Sequence, residues 1–105
     1  WVIPRLVRYW GLSGSSRIAA KKSSIDALFY YTGGTVKQEL GENDSALLDF
    51  EAAIRLDPDN PLYLTSRGMT KLALGDRKGA IQDYKMALHI DPDDEFARDN
   101  LDRLT

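Results

Sequence analysis

"ALLDFEAAIRLDP" spans residues 46–58 and "AIQDYKMALHIDP" spans residues 80–92. The two stretches stand 34 residues apart, and alanine, an aromatic, a second alanine and Asp-Pro recur in step. Laying 27–60 over 61–94 extends the agreement, without a gap, to eleven identities in 34 positions. These are Leu28/Leu62, Gly34/Gly68, Lys37/Lys71, Leu40/Leu74, Gly41/Gly75, Ala46/Ala80, Asp49/Asp83, Ala53/Ala87, Asp57/Asp91, Pro58/Pro92 and Asp59/Asp93. Phe50/Tyr84, Ile54/Leu88, Leu47/Ile81 and Leu56/Ile90 are conservative besides. Self-similarity at such a period marks stacked supersecondary units, none of which can cover its apolar face alone.

Each unit reads as two helices. The first runs roughly over 26–40 and again over 61–74, opened in the second unit by Asn60 as N-cap and Pro61 at the first helical position. Leu40-Gly41 and Leu74-Gly75 supply the stop, because glycine adopts a left-handed C-terminal conformation at little cost. Asn43 or Asp44, and Asp76, then offer side-chain oxygens to cap the second helix. In that helix Ala46, Phe50, Ala53, Ile54 and Leu56, and likewise Ala80, Tyr84, Ala87, Leu88 and Ile90, follow helical spacing. Asp57-Pro58 and Asp91-Pro92 end it, since proline disfavours helix in the residue before it.

The spacing of small residues predicts the packing. Gly34 with Ala46, and Gly68 with Ala80, let the two helices of a hairpin approach closely. Ala53 and Ala87 do the same for the helix that opens the next unit, while Phe50 and Tyr84 fill the space between neighbours. Pro58 and Pro92 complete the repeated set. The fold class expected is all-α: stacked antiparallel helical hairpins closed by a C-terminal capping helix.

The pattern Gly-x6-Gly-x4-Ala-x3-aromatic-x2-Ala-x4-Pro at a period of 34 resembles the tetratricopeptide repeat (TPR), with copies at 27–60 and 61–94. The copies depart from it at Gly33 and Arg67, where a large apolar residue is usual, and at Lys37 and Lys71, where an aromatic is usual. Gly33 beside Gly34 costs helix stability, about 1 kcal/mol against alanine, so the first helix is the one expected to fray. The resemblance implies a module in which the first helices line a concave groove that holds a peptide segment of a partner protein. Carried over by position, the lining is Leu28, Tyr31, Thr35 and Gln38 from unit one, and Leu62, Thr65, Met69 and Leu72 from unit two. Some TPR domains clamp the acidic C-termini of heat-shock chaperones with lysine, arginine and asparagine. Here Tyr31, Thr35, Ser66 and Asn100 stand at several of those places, so a partly hydrophobic segment is the expected ligand rather than a free carboxylate.

The chain divides into a basic, aromatic N-terminal segment (1–24) and the repeat domain (25–105). Residues 95–104 form the expected capping helix, with Ala97, Leu101 and Leu104 on one face; the opening of a third repeat is the alternative. At 105 residues there is room for one domain. Net charge is −2, unevenly placed: residues 1–22 carry Arg5, Arg8, Arg17, Lys21 and Lys22 and no acid, whereas all sixteen acids lie beyond. That asymmetry, with Trp1, Tyr9 and Trp10 interleaved, gives the competing function: attachment to nucleic acid or an anionic membrane through 1–22. The acidic body argues against it. A degenerate helix near 15–22 or an apolar arm over 1–12 are the structural alternatives there, and the arm filling a groove in its own or a neighbouring chain makes self-association an expectation. Position 1 is Trp rather than Met, which suggests a piece of a longer or processed protein. A soluble, cytoplasmic chain is the favoured reading, with the Arg- and Ser-rich, acid-poor start as a transit-like alternative.

The inventory offers catalysis little. There is no cysteine and one histidine, His89, expected on a solvent-facing helix surface, so a zinc cluster is not supported and no metal or cofactor is expected. Asp91, Asp93, Asp94 and Glu95 lack the glycine and distant glutamate of a calcium loop, and read as a turn followed by capping acids. "SGSS" at 13–16 is too short for a phosphate loop. Arg67 is the most informative polar residue: with the packing that the resemblance implies, it faces the second helices and is expected to pair with Asp83 or Asp49, a ligand-binding charge being the alternative. No enzyme is expected.

Overall fold

The computed structural model describes residues 22–105. Five helices run through them: α1 over 22–39, α2 (Asn43–Leu56), α3 (Pro61–Ala73), α4 (Arg77–Ile90) and α5 (Glu95–Leu104). No strand occurs among the described residues. The expected all-α stack of hairpins is the observed one: α1 pairs with α2, α3 with α4, and α2 and α4 in turn carry α3 and α5.

The turns follow from local chemistry. Gly41 and Gly75 adopt φ of +80° and +88°, the left-handed region that glycine enters without a Cβ penalty. Each closes the same pair of bonds: Gly41 N–H donates to Gln38 O and Glu42 N–H to Lys37 O, and Gly75 N–H donates to Leu72 O and Asp76 N–H to Lys71 O. The Asn60 side chain accepts from Leu62 N–H, Asp76 from Gly79 N–H and Asp94 from Ala97 N–H. α2 and α4 stop at Leu56 and Ile90, just before Asp57-Pro58 and Asp91-Pro92.

Two boundaries differ from expectation. α2 is capped by neither Asn43 nor Asp44: its N-cap is Glu42, whose side chain makes no capping bond, and Asn43 already lies inside the helix. The Schellman turn at Gly41 sets this, because it brings residue 42 directly into the helical entry. α1 is already helical at residue 22, several residues before the expected start. Ser23 and Ser24 stand where the later units have Asp-Pro, so nothing breaks the helix there.

Close approach between helices rests on the small residues. A Cβ on Gly34 would lie 2.8 Å from the Phe50 ring, and one on Gly68 3.1 Å from the Tyr84 ring. Ala46, Phe50, Ala53, Ala80, Tyr84 and Ala87 are fully buried, whereas Pro58 and Pro92 stay exposed in the turns. Ala53 packs with Ala27 and Tyr63, joining the first hairpin to the second; Ala87 packs with Leu64 and Ala97, joining the second to α5. Ala87 and Ala97 each stand 34 residues after Ala53 and Tyr63, so α5 meets α4 as α3 meets α2. It covers the second hairpin from the position that the first helix of a further unit takes.

Readings that fall on residues 1–21 lie outside the described residues: the helix near 15–22, the aromatic arm, the transit-like start and the basic attachment segment. Only Lys22 of that basic set is described, and it is exposed.

Candidate functional site

α1 and α3 lie side by side, each backed by the second helix of its own hairpin. The Tyr31 and Tyr63 rings, 5.1 Å between centroids, and a hydrogen bond from Gln38 Nε2 to Thr70 Oγ1 of 3.1 Å hold them together. Residues 28, 31, 35 and 38 recur at three and four along α1, and 62, 65, 69 and 72 do so along α3, which places each set on one helical face.

The eight expected groove positions fall into two groups. Leu28, Leu62, Met69 and Leu72 are exposed apolar side chains. The other four are engaged within the stack. Tyr31 packs against Phe50 and Tyr63, Thr35 Oγ1 donates to Tyr31 O, and Gln38 is tied to Thr70. Thr65 is 3% exposed and its hydroxyl donates to Leu62 O, so it lies beneath the surface rather than lining it.

Phe96 was missed. It lies 34 residues after Leu62 and 68 after Leu28, at the start of α5. Exposure is 55% for Leu28, 50% for Leu62 and 50% for Phe96, so three equivalent positions on α1, α3 and α5 each present one large apolar side chain. Carrying the 34-residue shift past the second unit finds it from sequence alone.

The polar set around Arg67 is a brace between α3 and α4. Arg67 Nε donates to Asp83 Oδ2 at 2.9 Å and Nη2 to Oδ1 at 2.7 Å, and Lys71 Nζ lies 3.2 Å from Oδ2. The hydrogen bond to Asp83 raises the Arg67 pKa against the opposing cost of burial, so the guanidinium stays charged. Of the two aspartates that the sequence offered, Asp83 is the partner. Asp49 instead meets Lys37 at 3.0 Å, the counterpart of the Lys71–Asp83 contact, and Gly33 stands in unit one where Arg67 stands in unit two. His89 is exposed on α4. Asp91 and Asp94 accept backbone bonds from Asp93 and Ala97, as a turn and a cap do. Among the described residues no group of three or more His, Cys, Asp or Glu side chains is placed to hold a metal ion, and no helix is long and apolar enough to cross a membrane.

Hairpins stacked through small residues, with their first helices presenting one face, define an α-solenoid repeat protein, a scaffold for protein–protein interaction. The chain belongs to the tetratricopeptide repeat family, whose model matches residues 27–60 and 63–94. Among solved structures it is similar to the TPR domain of Sgt2 from Aspergillus fumigatus, with 24% identity and a TM-score of 0.71 over 74% of this chain. It is also similar to the TPR domain of Arabidopsis OM64, with 26% identity and a TM-score of 0.72 over 75% of this chain. It spans 52% and 65% of those two chains. PcrH, solved in complex with the chaperone binding region of PopD, matches at 20% identity and a TM-score of 0.62, over 95% of this chain and 80% of that one. Comparison with curated proteins finds no match.

Proposed function

We propose that this chain binds a partly hydrophobic segment of a partner protein across the first helices of its hairpins, and carries out no catalytic step. The observation that carries the reading is the row Leu28, Leu62 and Phe96, supplemented by Met69 and Leu72 on α3. Apolar side chains so placed gain free energy when a partner removes them from water, and methionine adapts to varied partner shapes. The eight groove positions carry no charge, which favours apolar contact over capture of a carboxylate. That PcrH is solved with a segment of PopD is a property of that protein; the argument here stands on the side chains of this one.

Selection of a displayed library of random dodecapeptides against the full chain tests the reading, with the Leu28→Arg/Leu62→Arg variant as counter-target. Selected peptides are expected to contain apolar anchors and to bind the variant at least ~10-fold more weakly, the loss of one buried anchor contact. Peptides that bind both forms equally would overturn the groove assignment. Leu28 and Leu62 are exposed, so the variant is expected to retain the fold, and circular dichroism checks that it does.

A further inference from the structure

The two hairpins are built alike but covered differently. Phe29 is 75% exposed and its counterpart Tyr63 is 4%; Tyr30 is 39% and Leu64 is 0%; Val36 is 51% and Thr70 is 0%. Thr32 is exposed and Ser66 buried in the same way. In unit two this face is covered by unit one: Tyr63 packs with Ala53 and Tyr31, Leu64 with Ile54, and Thr70 receives the Gln38 bond. In unit one the same face of α1 has no cover among the described residues. It is distinct from the proposed groove, since Phe29 and Val36 project roughly 80–120° away from Leu28 and Thr35 at about 100° per residue.

We propose that residues 1–21 of the same chain cover this outer face of α1, seating their apolar side chains on Phe29, Tyr30 and Val36. Three features favour that occupant. The segment is apolar and aromatic, with Trp1, Ile3, Leu6, Tyr9 and Trp10. It is also basic and free of acid, whereas the helical projection of α1 puts Asp26 between Phe29 and Tyr30, and Glu39 between Val36 and Leu28. Lastly, it is joined to α1 itself, which gives it a high effective concentration over any separate molecule. Val36 lies about 21 Å along the helix from residue 22, and 21 residues of extended chain reach up to roughly 70 Å, so a return path is available. α1 is helical through 23–26, where the later units turn at Asp-Pro, so the chain enters it without that turn. A segment folded back over α1 fits that continuity. Nothing in this assignment depends on the groove.

Trp1 and Trp10 are the only tryptophans of the chain, so intrinsic tryptophan fluorescence of the full chain reports on this segment alone. Emission blue-shifted from that of free tryptophan, independent of protein concentration, is expected. It should move to the red in Val36→Lys and Phe29→Lys while circular dichroism remains that of the wild type, since neither side chain is covered by the described residues. Leu62→Lys, in the groove, should leave it unchanged. Solvent-like emission in the wild type overturns the proposal. So does a blue shift that appears only as concentration rises and light scattering shows a dimer, which assigns the face to a second copy. A blue shift indifferent to Val36→Lys and Phe29→Lys, or abolished by Leu62→Lys, places the segment elsewhere and overturns it as well.

Discussion

Arg67 and Asp83 meet through two parallel hydrogen bonds across α3 and α4, Nε to Oδ2 at 2.9 Å and Nη2 to Oδ1 at 2.7 Å. The carboxylate is buried and the guanidinium largely so. Planar pairing of this kind is the strongest form of a charge-assisted bond, yet burial of both charges offsets much of its net stabilisation. The two residues should therefore respond unequally to substitution. Asp83→Ala leaves Arg67 and Lys71 facing each other without a counter-charge and is expected to cost about 3–5 kcal/mol. An Arg67→Leu/Asp83→Leu double variant removes the buried pair and leaves only Lys71, a longer and more flexible side chain that can turn toward water, without its counter-charge, so it should be less damaging. Thermal unfolding of both variants against the wild type checks this; equal losses would refute it.

Adjacent glycines on α1 should behave oppositely. A Cβ at Gly34 would press on the Phe50 ring at 2.8 Å, and Gly34→Ala is expected to destabilise by about 1–3 kcal/mol through overpacking. A Cβ at Gly33 meets only Asp49 Oδ2 at 3.1 Å, the end of a side chain that can rotate. Gly33→Ala should then show the helix propensity gain, up to about 1 kcal/mol. Urea unfolding measures both, and α1 amides should exchange more slowly in Gly33→Ala.

Tyr84 is fully buried and its hydroxyl makes no hydrogen bond among the described residues. Its repeat counterpart is Phe50, which has no hydroxyl to satisfy. Tyr84→Phe is expected to be neutral or stabilising by up to about 1 kcal/mol at neutral pH, since an unpaired buried hydroxyl opposes folding.

The same residue sets an alkaline limit. Burial, reinforced by Asp83, raises the Tyr84 pKa, and burial, reinforced by Asp57 and Tyr31, raises that of Tyr63. In the unfolded chain both ionise near about pH 10, whereas the folded chain holds their protons. Stability is thus full below that pH and falls as pH rises through it, because unfolding then releases protons. Denaturant midpoints across this range should drop for the wild type and drop less for Tyr84→Phe.

Helix caps show a difference that can be transferred between units. Asp76 caps α4 by accepting from Gly79 N–H, and Glu42, at a similar backbone conformation, leaves α2 without a side-chain cap. Asp76→Ala should cost about 1 kcal/mol and Glu42→Asp should add about as much, read as opposite shifts of the thermal midpoint.

The family and the hairpin plan were legible because they depend on local chemistry. Gly41 and Gly75 mark positive φ, Asn60-Pro61 and Asp76 mark helix starts, Asp-Pro marks helix ends, and Gly34, Ala53 and Ala87 mark close contacts. Each signal acts within a few residues or repeats at a known distance. The choice of Asp83 over Asp49 for Arg67 and the burial of Thr65 were not legible in the same way. Those depend on which surfaces meet across the stack.

The sequence by itself determined the unit: two helices, their caps, their turn and the small residues through which one hairpin nests on the next. Only the tertiary structure decided which copy of each face is buried, since Phe29 and Tyr63 hold the same place in their units and differ in exposure from 75% to 4%. The physical reason is that a repeat encodes the same faces each time, whereas burial belongs to the neighbour that covers a face, and the first hairpin and the second have different neighbours.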